Sequence, residues 1–279
     1  MSEKLQKVLA RAGLGSRRQI EQWITEGRIR INQQTAKLGD RISEGDAVQL
    51  DGKAVSAQKM FADTRRVLMY HKDVGTVCTR SDPEGRKTVF HDFPKIKGSR
   101  WIIVGRLDIT TTGLLLATTD GELANRLMHP SYGIEREYLV RVLGKVDPAM
   151  IERMTQGVEL EDGPAKFESI VDMGGEGANH WYKVVVKEGR NREVRRLWES
   201  QGIQVSRLTR IRFGPVSMPK YLRRGYSKDL DEQTIAALCA SVGLNSAPQT
   251  PTPSRTRTNK NVWSQSAKGK TAHRKRTRD

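Results

Sequence analysis

The sequence is poor in cysteine. Only Cys78 and Cys239 occur, far apart and outside any CxxC pair. A disulfide framework and a zinc ribbon are therefore disfavoured, and two reduced thiols are expected. His71, Cys78 and His91 are scattered at spacings that match no zinc motif, and neither a GxGxxG string nor a P-loop is present. No apolar run approaches the roughly 20 residues that a membrane helix needs. The opening MSEKLQKVLA lacks the long apolar core of a secretory signal, so a cytoplasmic chain is expected. Acids are also short: 32 Asp and Glu stand against 49 Lys and Arg.

That imbalance gives a net charge of +17 and a pI near 10.1, which points to a polyanionic partner. From Ala247 to Asp279 there are nine basic residues and one acid, yet the rest of the chain remains basic without them. No basic amphipathic helix with exposed aromatics stands out, so nucleic acid is a better partner than a membrane surface. A chain of 279 residues is long enough for about two domains, each with its own core.

Three regions separate by pattern. In the first, residues 1–57, Leu5, Val8, Leu9 and Ala12 recur at helical spacing. Gly13 and Gly15 stop that helix. Ser16 opens a second, with Gln19 placed to complete a capping box and Ile20, Trp23 and Ile24 on one face. Residues 28–32 alternate like a strand, and 47–50 read as another. The pattern fades over 58–65, which reads as a linker. The second region, 66–244, has strand candidates at 67–70, 101–105, 114–118, 138–143, 182–187 and 205–213. Helix candidates lie at 121–128, 148–155, 193–201 and 232–242. Strands outnumber helices without strict alternation, so an α+β domain on a mainly antiparallel sheet is expected. Residues 245–279 are rich in Pro, Ser, Thr and basic side chains, with little to bury, and are expected to be disordered when free.

Four motifs carry candidate chemistry. Ser16-Arg17-Arg18 sits at a helix start, where unpaired N–H groups suit a phosphate, and Arg28 and Asn32 lie on the following strand. Exposed arginines forming a solvated face are the rival reading. Gly105-Arg106-Leu107-Asp108 places one arginine and one carboxylate after an apolar strand, where an Asp is most often a turn residue. Arg136-Glu137-Tyr138 begins a strand, in which a tyrosine is most often half-buried core. In EGRNREVRRLWE, Val194, Leu197 and Trp198 share a helical face and leave the arginines to point elsewhere.

Longer strings sharpen these readings. KLQKVLARAGLGSRRQIEQWITEGRIRIN followed by GDAVQLDG resembles the small alpha-L type RNA-binding domain first seen in a ribosomal protein. The resemblance implies that Ser16, Arg17, Arg18, Arg28 and Asn32 grip structured RNA. GRLDITTTGLLLATTDGELANRLMHP resembles the catalytic-aspartate motif of pseudouridine synthases, in the branch acting on ribosomal RNA. It implies that Asp108 is the essential carboxylate and that Arg106 displaces the target base. It further implies that Tyr138 lies against that base, that Arg195 (or, one place on, Arg196) pairs with Asp108, and that Leu208 lines the uracil pocket. For Leu208 ordinary core is an equal reading. TRSDPEGRKTVF and GRNREVRRLWE are most similar to the members acting on large-subunit ribosomal RNA.

The implied reaction breaks N1–C1′ of a uridine and joins C5 to C1′. It needs no redox partner, so no cofactor and no metal are expected. The expected partner is a structured hairpin of large-subunit ribosomal RNA, with the enzyme a monomer and no membrane involved. Which role Asp108 plays first stays open. Two alternatives remain at this point: a non-catalytic RNA-binding ribosome-assembly factor, and a synthase acting on small-subunit ribosomal RNA or transfer RNA.

Overall fold

The computed structural model describes residues 2–61, 65–96, 98–176 and 179–245. The stretch expected as a disordered tail lies, Asn245 apart, outside the described residues.

The N-terminal part is built from β1 (Glu3–Lys4), α1 (Leu5–Arg11), α2 (Arg17–Thr25), β2 (Ile29–Ile31), β3 (Gln34–Thr35), β4 (Arg41–Ile42), β5 (Val48–Leu50), β6 (Lys53–Val55) and α3 (Ala57–Met60). The expected helical stripe is the buried one: Leu5, Val8, Leu9, Ile20 and Ile24 pack with Ile29, Ile42 and Val48. The strands form an antiparallel β3-β2-β5-β6 sheet, with β1 paired separately to β4. Ser16 caps α2 by accepting from the Gln19 N–H at 3.1 Å. The second half of the expected capping box is not made; the Gln19 amide donates to Gln22 instead. The segment read as a linker from residue 58 begins inside this core. Met60 is fully buried there, and its carbonyl accepts two bonds from the Arg11 guanidinium. The remainder of that segment includes residues outside the described ones.

The larger part contains β7 (Val67–Lys72), β8 (Ile102–Val104), β9 (Thr112–Thr118), α4 (Gly121–Met128), β10 (Arg136–Leu143), α5 (Pro148–Gln156), β11 (Val158–Leu160), β12 (Gly163–Ala165), β13 (Ser169–Glu176), β14 (Asn179–Val186), α6 (Glu193–Glu199), β15 (Gln204–Phe213), β16 (Val216–Ser217), β17 (Ser227–Asp229) and α7 (Glu232–Ala240). The main sheet runs β13-β14-β10-β15-β9-β7-β17, with β8 on β9 and β16 on β15. Its pairings are antiparallel except for β9 with β15.

Strand β9 reads as a continuous apolar run because both its faces are covered. Leu114 and Leu116 pack with Leu123 and Leu127 of α4 and with Ile235 and Leu238 of α7. Leu115 and Ala117 meet Tyr70, Val89, Phe93 and Trp101 on the other side. A third cluster lies under β10, β14 and β15, where Met154 of α5 and Leu197 and Trp198 of α6 close the core.

The two halves of the sheet join through the short parallel pairing of Thr112 with Thr209 and Gly113 with Arg210. Backbones meet so closely there that a Cβ at Gly113 would stand 2.2 Å from the Arg210 carbonyl oxygen. Only glycine tolerates that approach together with a φ of +106°. This seam lies directly after the Asp108 loop, so the loop opens where the two half-sheets meet.

Candidate active site

Residues 105–111 connect β8 to β9. The Thr111 N–H donates to the Asp108 carbonyl at 3.0 Å, and the Gly75 N–H donates to that of Ile109 at 2.9 Å. Beneath them the Lys72 ammonium, wholly buried at the end of β7, donates to the carbonyls of Asp73, Asp108 and Thr111 at 3.0, 3.0 and 2.9 Å. Burial pulls the Lys72 pKa down, with Cys78, Asp108 and Asp73 opposing. The ammonium thus acts as a three-pronged tie on the loop backbone.

Held this way, Asp108 is half-buried and lines a cleft of about 900 Å³. The cleft wall includes three more of the residues expected from the sequence: Arg106, Tyr138 and Leu208. Arg106 is exposed on the loop. Tyr138, half-buried on β10, faces Val184 on one side and Arg210 on the other in the strand register. Leu208 serves both of its rival readings, being 5% exposed in the core of the β10–β15 half and still part of the cleft lining.

Helix α6 places its two adjacent arginines in different surroundings. Arg195 is buried and donates to the Val205 carbonyl at 2.9 Å and the Thr110 carbonyl at 3.4 Å. Burial and neighbouring Arg192 lower its pKa, while Asp108 and Glu199 act in the opposite sense. Arg195 therefore stands as a charge behind the Asp108 loop, and its resolved bonds go to carbonyls. Arg196 points away and forks onto Asp162 at 2.7 and 2.9 Å, holding that carboxyl well below its usual range. Of the two registers left open by the sequence, the structure brings Arg195 toward Asp108.

Several cleft residues were not expected. Arg136 and Arg210, 6% and 3% exposed, each set a guanidinium carbon 5.2 Å from the Phe213 ring centre. Arg136 donates to the Ile134 and Lys187 carbonyls, and Arg210 to that of Leu114. Glu193 is 5% exposed, with Oε2 lacking a partner among the described residues; burial, then Glu188 beside it, pushes its pKa up to about 7. Cys78 also lines the cleft, its sulfur accepting from the Leu107 N–H at 3.5 Å. Among the described residues no three His, Cys, Asp or Glu side chains gather as a metal site, and no helix is long and apolar enough to cross a membrane.

The N-terminal set divides. Ser16 caps its helix, and Arg17 and Arg18 are exposed at its start. Arg28 is occupied: it forks onto Asp51 at 2.8 and 2.7 Å, bonds Glu26 and lies over Trp23. Asn32, at φ +47°, donates to Asp46 and accepts from the Ala47 N–H, so its side chain is built into a turn.

Comparison with known proteins accords with this arrangement. Residues 66–200 match the RNA pseudouridylate synthase family profile, and residues 3–48 match the S4 domain. The chain is 59% identical over 245 residues to "Ribosomal large subunit pseudouridine synthase B" of Pseudomonas aeruginosa, covering 88% of this chain and 64% of that one. The protein of the same name from Haemophilus influenzae is 58% identical over 250 residues, with 89% and 70% covered. That of Escherichia coli strain K12 is 58% identical over 233 residues, with 83% and 80% covered. A solved structure described as "Crystal structure of pseudouridylate synthase" superposes with a TM-score of 0.59 at 26% identity, covering 84% of this chain and 99% of that one. With profile, relatives and fold in agreement, the chain belongs to the RNA pseudouridylate synthase family and carries an S4 domain at its N-terminal end.

Proposed function

We propose that this enzyme converts a uridine of large-subunit ribosomal RNA to pseudouridine, with Asp108 as the reacting carboxylate. The observation that carries the reading is the placement of Asp108: half-buried, in a cleft of about 900 Å³, on a loop whose backbone is tied from below by Lys72. The names of the relatives supply the class of target. The S4 domain and the net positive charge suit RNA, and a structured hairpin bound by a monomer is the form proposed. Residues 1–57 would serve as the RNA-binding domain and 66–244 as the catalytic one.

The reaction breaks N1–C1′, turns the uracil, and forms C5–C1′; the C5 proton leaves and N1 gains one, so the sum is an isomerisation. An ionised carboxylate beside the sugar can attack C1′ or stabilise positive charge there. Arg195 is assigned the supporting positive charge, acting from behind the loop, where it bonds the Thr110 carbonyl. Extruding the target base costs a few kcal/mol, as an order of magnitude. Arg106, exposed on the loop, would fill the vacated space, and Tyr138 and Leu208 would receive the base; stacking on an aromatic ring returns about 1–3 kcal/mol.

The test is Asp108→Asn, which keeps shape and removes the charge. Pseudouridine formation in an unmodified large-subunit ribosomal RNA transcript should vanish, while RNA affinity stays within about twofold, well under the 1.4 kcal/mol that a tenfold change represents. Wild-type turnover by the variant would refute the assignment of Asp108. Loss of RNA binding with loss of fold would return the residue to a structural role.

A further inference from the structure

Three arginines from two parts of the chain converge where the N-terminal core meets the catalytic sheet. The turn between α1 and α2 rests on the segment leading into β8, so closely that a Cβ at Gly13 would lie 3.0 Å from the Ser99 carbonyl oxygen. That contact sets Arg17, the first residue of α2, against the first residue of α4: its Nη2 lies 3.9 Å from where a Gly121 Cβ would be. Arg100, next to Ser99, is half-buried, and its Nε is buried with no acceptor among the described residues. Arg80 lies over the Phe90 ring at 4.4 Å and donates to the Trp101 carbonyl. Burial lowers the Arg100 pKa, and Arg80 and Arg17 beside it lower it further, the mark of crowded like charges.

The acids at that helix end have partners of their own. Asp120 caps α4, accepting from the Glu122 and Leu123 N–H groups, and pairs with Arg65 at 2.7 Å; Glu122 pairs with Arg126 at 3.0 Å. A buried N–H without an acceptor carries its full desolvation cost. One anion among the three guanidiniums would relieve both the like-charge crowding and the orphan donor. Thr79, which precedes Arg80, lines the cleft, so the cluster adjoins its wall.

We propose that Arg17, Arg80 and Arg100 together hold one backbone phosphate of the RNA, so that substrate binding ties the S4 domain to the catalytic domain. The inference rests on the reading of RNA as substrate but not on Asp108 as its reacting group. It adds Arg80 and Arg100 to the RNA contacts expected from sequence and makes Arg17 part of a shared site.

The experiment measures binding of an unmodified large-subunit ribosomal RNA transcript at several salt concentrations, using full-length protein with Asp108→Asn so that turnover does not enter. Arg17→Gln and Arg100→Gln should each weaken binding about tenfold at 0.1 M salt and flatten the slope of log K against log salt by about one. Combined, they should cost little more than either alone, because both lose the same phosphate. Arg80→Gln should follow the same pattern in RNA binding. Urea midpoints of the Arg17 and Arg100 variants without RNA should hold or rise, since a like charge is removed; Arg80→Gln also loses the Trp101 carbonyl bond and the Phe90 contact, so its midpoint is not the readout. Unchanged slopes, multiplied losses in the double variant, or a lowered midpoint with wild-type RNA binding would each overturn the proposal. Failure of Asp108→Asn to abolish turnover would overturn the catalytic assignment alone.

Discussion

The Lys72 ammonium donates to the main-chain carbonyl of Asp108 at 3.0 Å, not to its carboxylate. It grips the loop that carries the proposed catalytic group and does not occupy the carboxylate of Asp108, a residue of the cleft lining. Two neighbouring carbonyls share the same ammonium. Lys72→Met would keep the stem packed in the core and take a donor from three carbonyls, of which that of Asp108 keeps the Thr111 N–H. Each such loss costs about 1–3 kcal/mol when the group stays dry, partly returned by not burying a charge.

The expected result for Lys72→Met is a fall in kcat of about 10²-fold, the scale at which a displacement of roughly 1 Å in a reacting group is felt. KM and RNA affinity should move by less than about threefold, since the residue touches no RNA-facing surface. Single-turnover kinetics with pre-bound RNA would separate the two. A rise in KM at unchanged kcat would show that Lys72 does not position the loop.

Lys72 also marks where sequence stops being legible. A lysine ending an apolar strand looks like a solvated strand end, and its partners are carbonyls up to 39 residues away, which leave no signature in side-chain chemistry. Local rules succeeded where local forces decide. Asp120 accepts from the Glu122 and Leu123 N–H groups and fixes the start of α4 at the expected place, and the apolar run of β9 marked a strand covered on both faces. Strand β13 escaped notice because SIVDMGGE breaks alternation with a bulge between Asp172 and Gly175. Arg28 was expected to reach for RNA, but its carboxylate partner Asp51 stands 23 residues away, and only the fold brings them together. Arg106, Asp108, Tyr138 and Leu208 do share one cleft; Arg136, Arg210 and Glu193, which complete its wall, are ordinary strand or helix residues by pattern.

At Gly113 the sheet permits no side chain. Alanine would place Cβ 2.2 and 2.6 Å from the carbonyl oxygen and the nitrogen of Arg210, both of them backbone atoms unable to turn aside. The strained φ alone costs of order 1–3 kcal/mol, and parting β9 from β15 adds to it. Gly113→Ala should therefore lower stability by about 3 kcal/mol or more, read from the urea midpoint. Activity of the fraction that folds should fall as well, because the Asp108 loop opens at this seam. Wild-type stability would mean that the two half-sheets are not joined as described.

Glu193 gives the fold a pH dependence of defined sign. Its pKa rises from an ordinary 4.5 to about 7, chiefly through burial and then through the neighbouring Glu188 carboxylate. The folded state therefore holds a proton that the unfolded state releases between those values. Stability from this group is fully present below pH 4.5, declines as pH rises toward 7, and is absent above it. The change amounts to at most about 3 kcal/mol, since a tenfold change in proton affinity between the two states is worth about 1.36 kcal/mol. Glu193→Gln carries a permanently neutral side chain of the same shape. Relative to wild type it should be neutral near pH 4.5 and more stable at pH 8, so urea midpoints at the two pH values should diverge only at the higher one. An equal difference at both would mean that the carboxyl of Glu193 is already ionised at the lower pH, held by Arg136 and Arg190 more strongly than burial disfavours it.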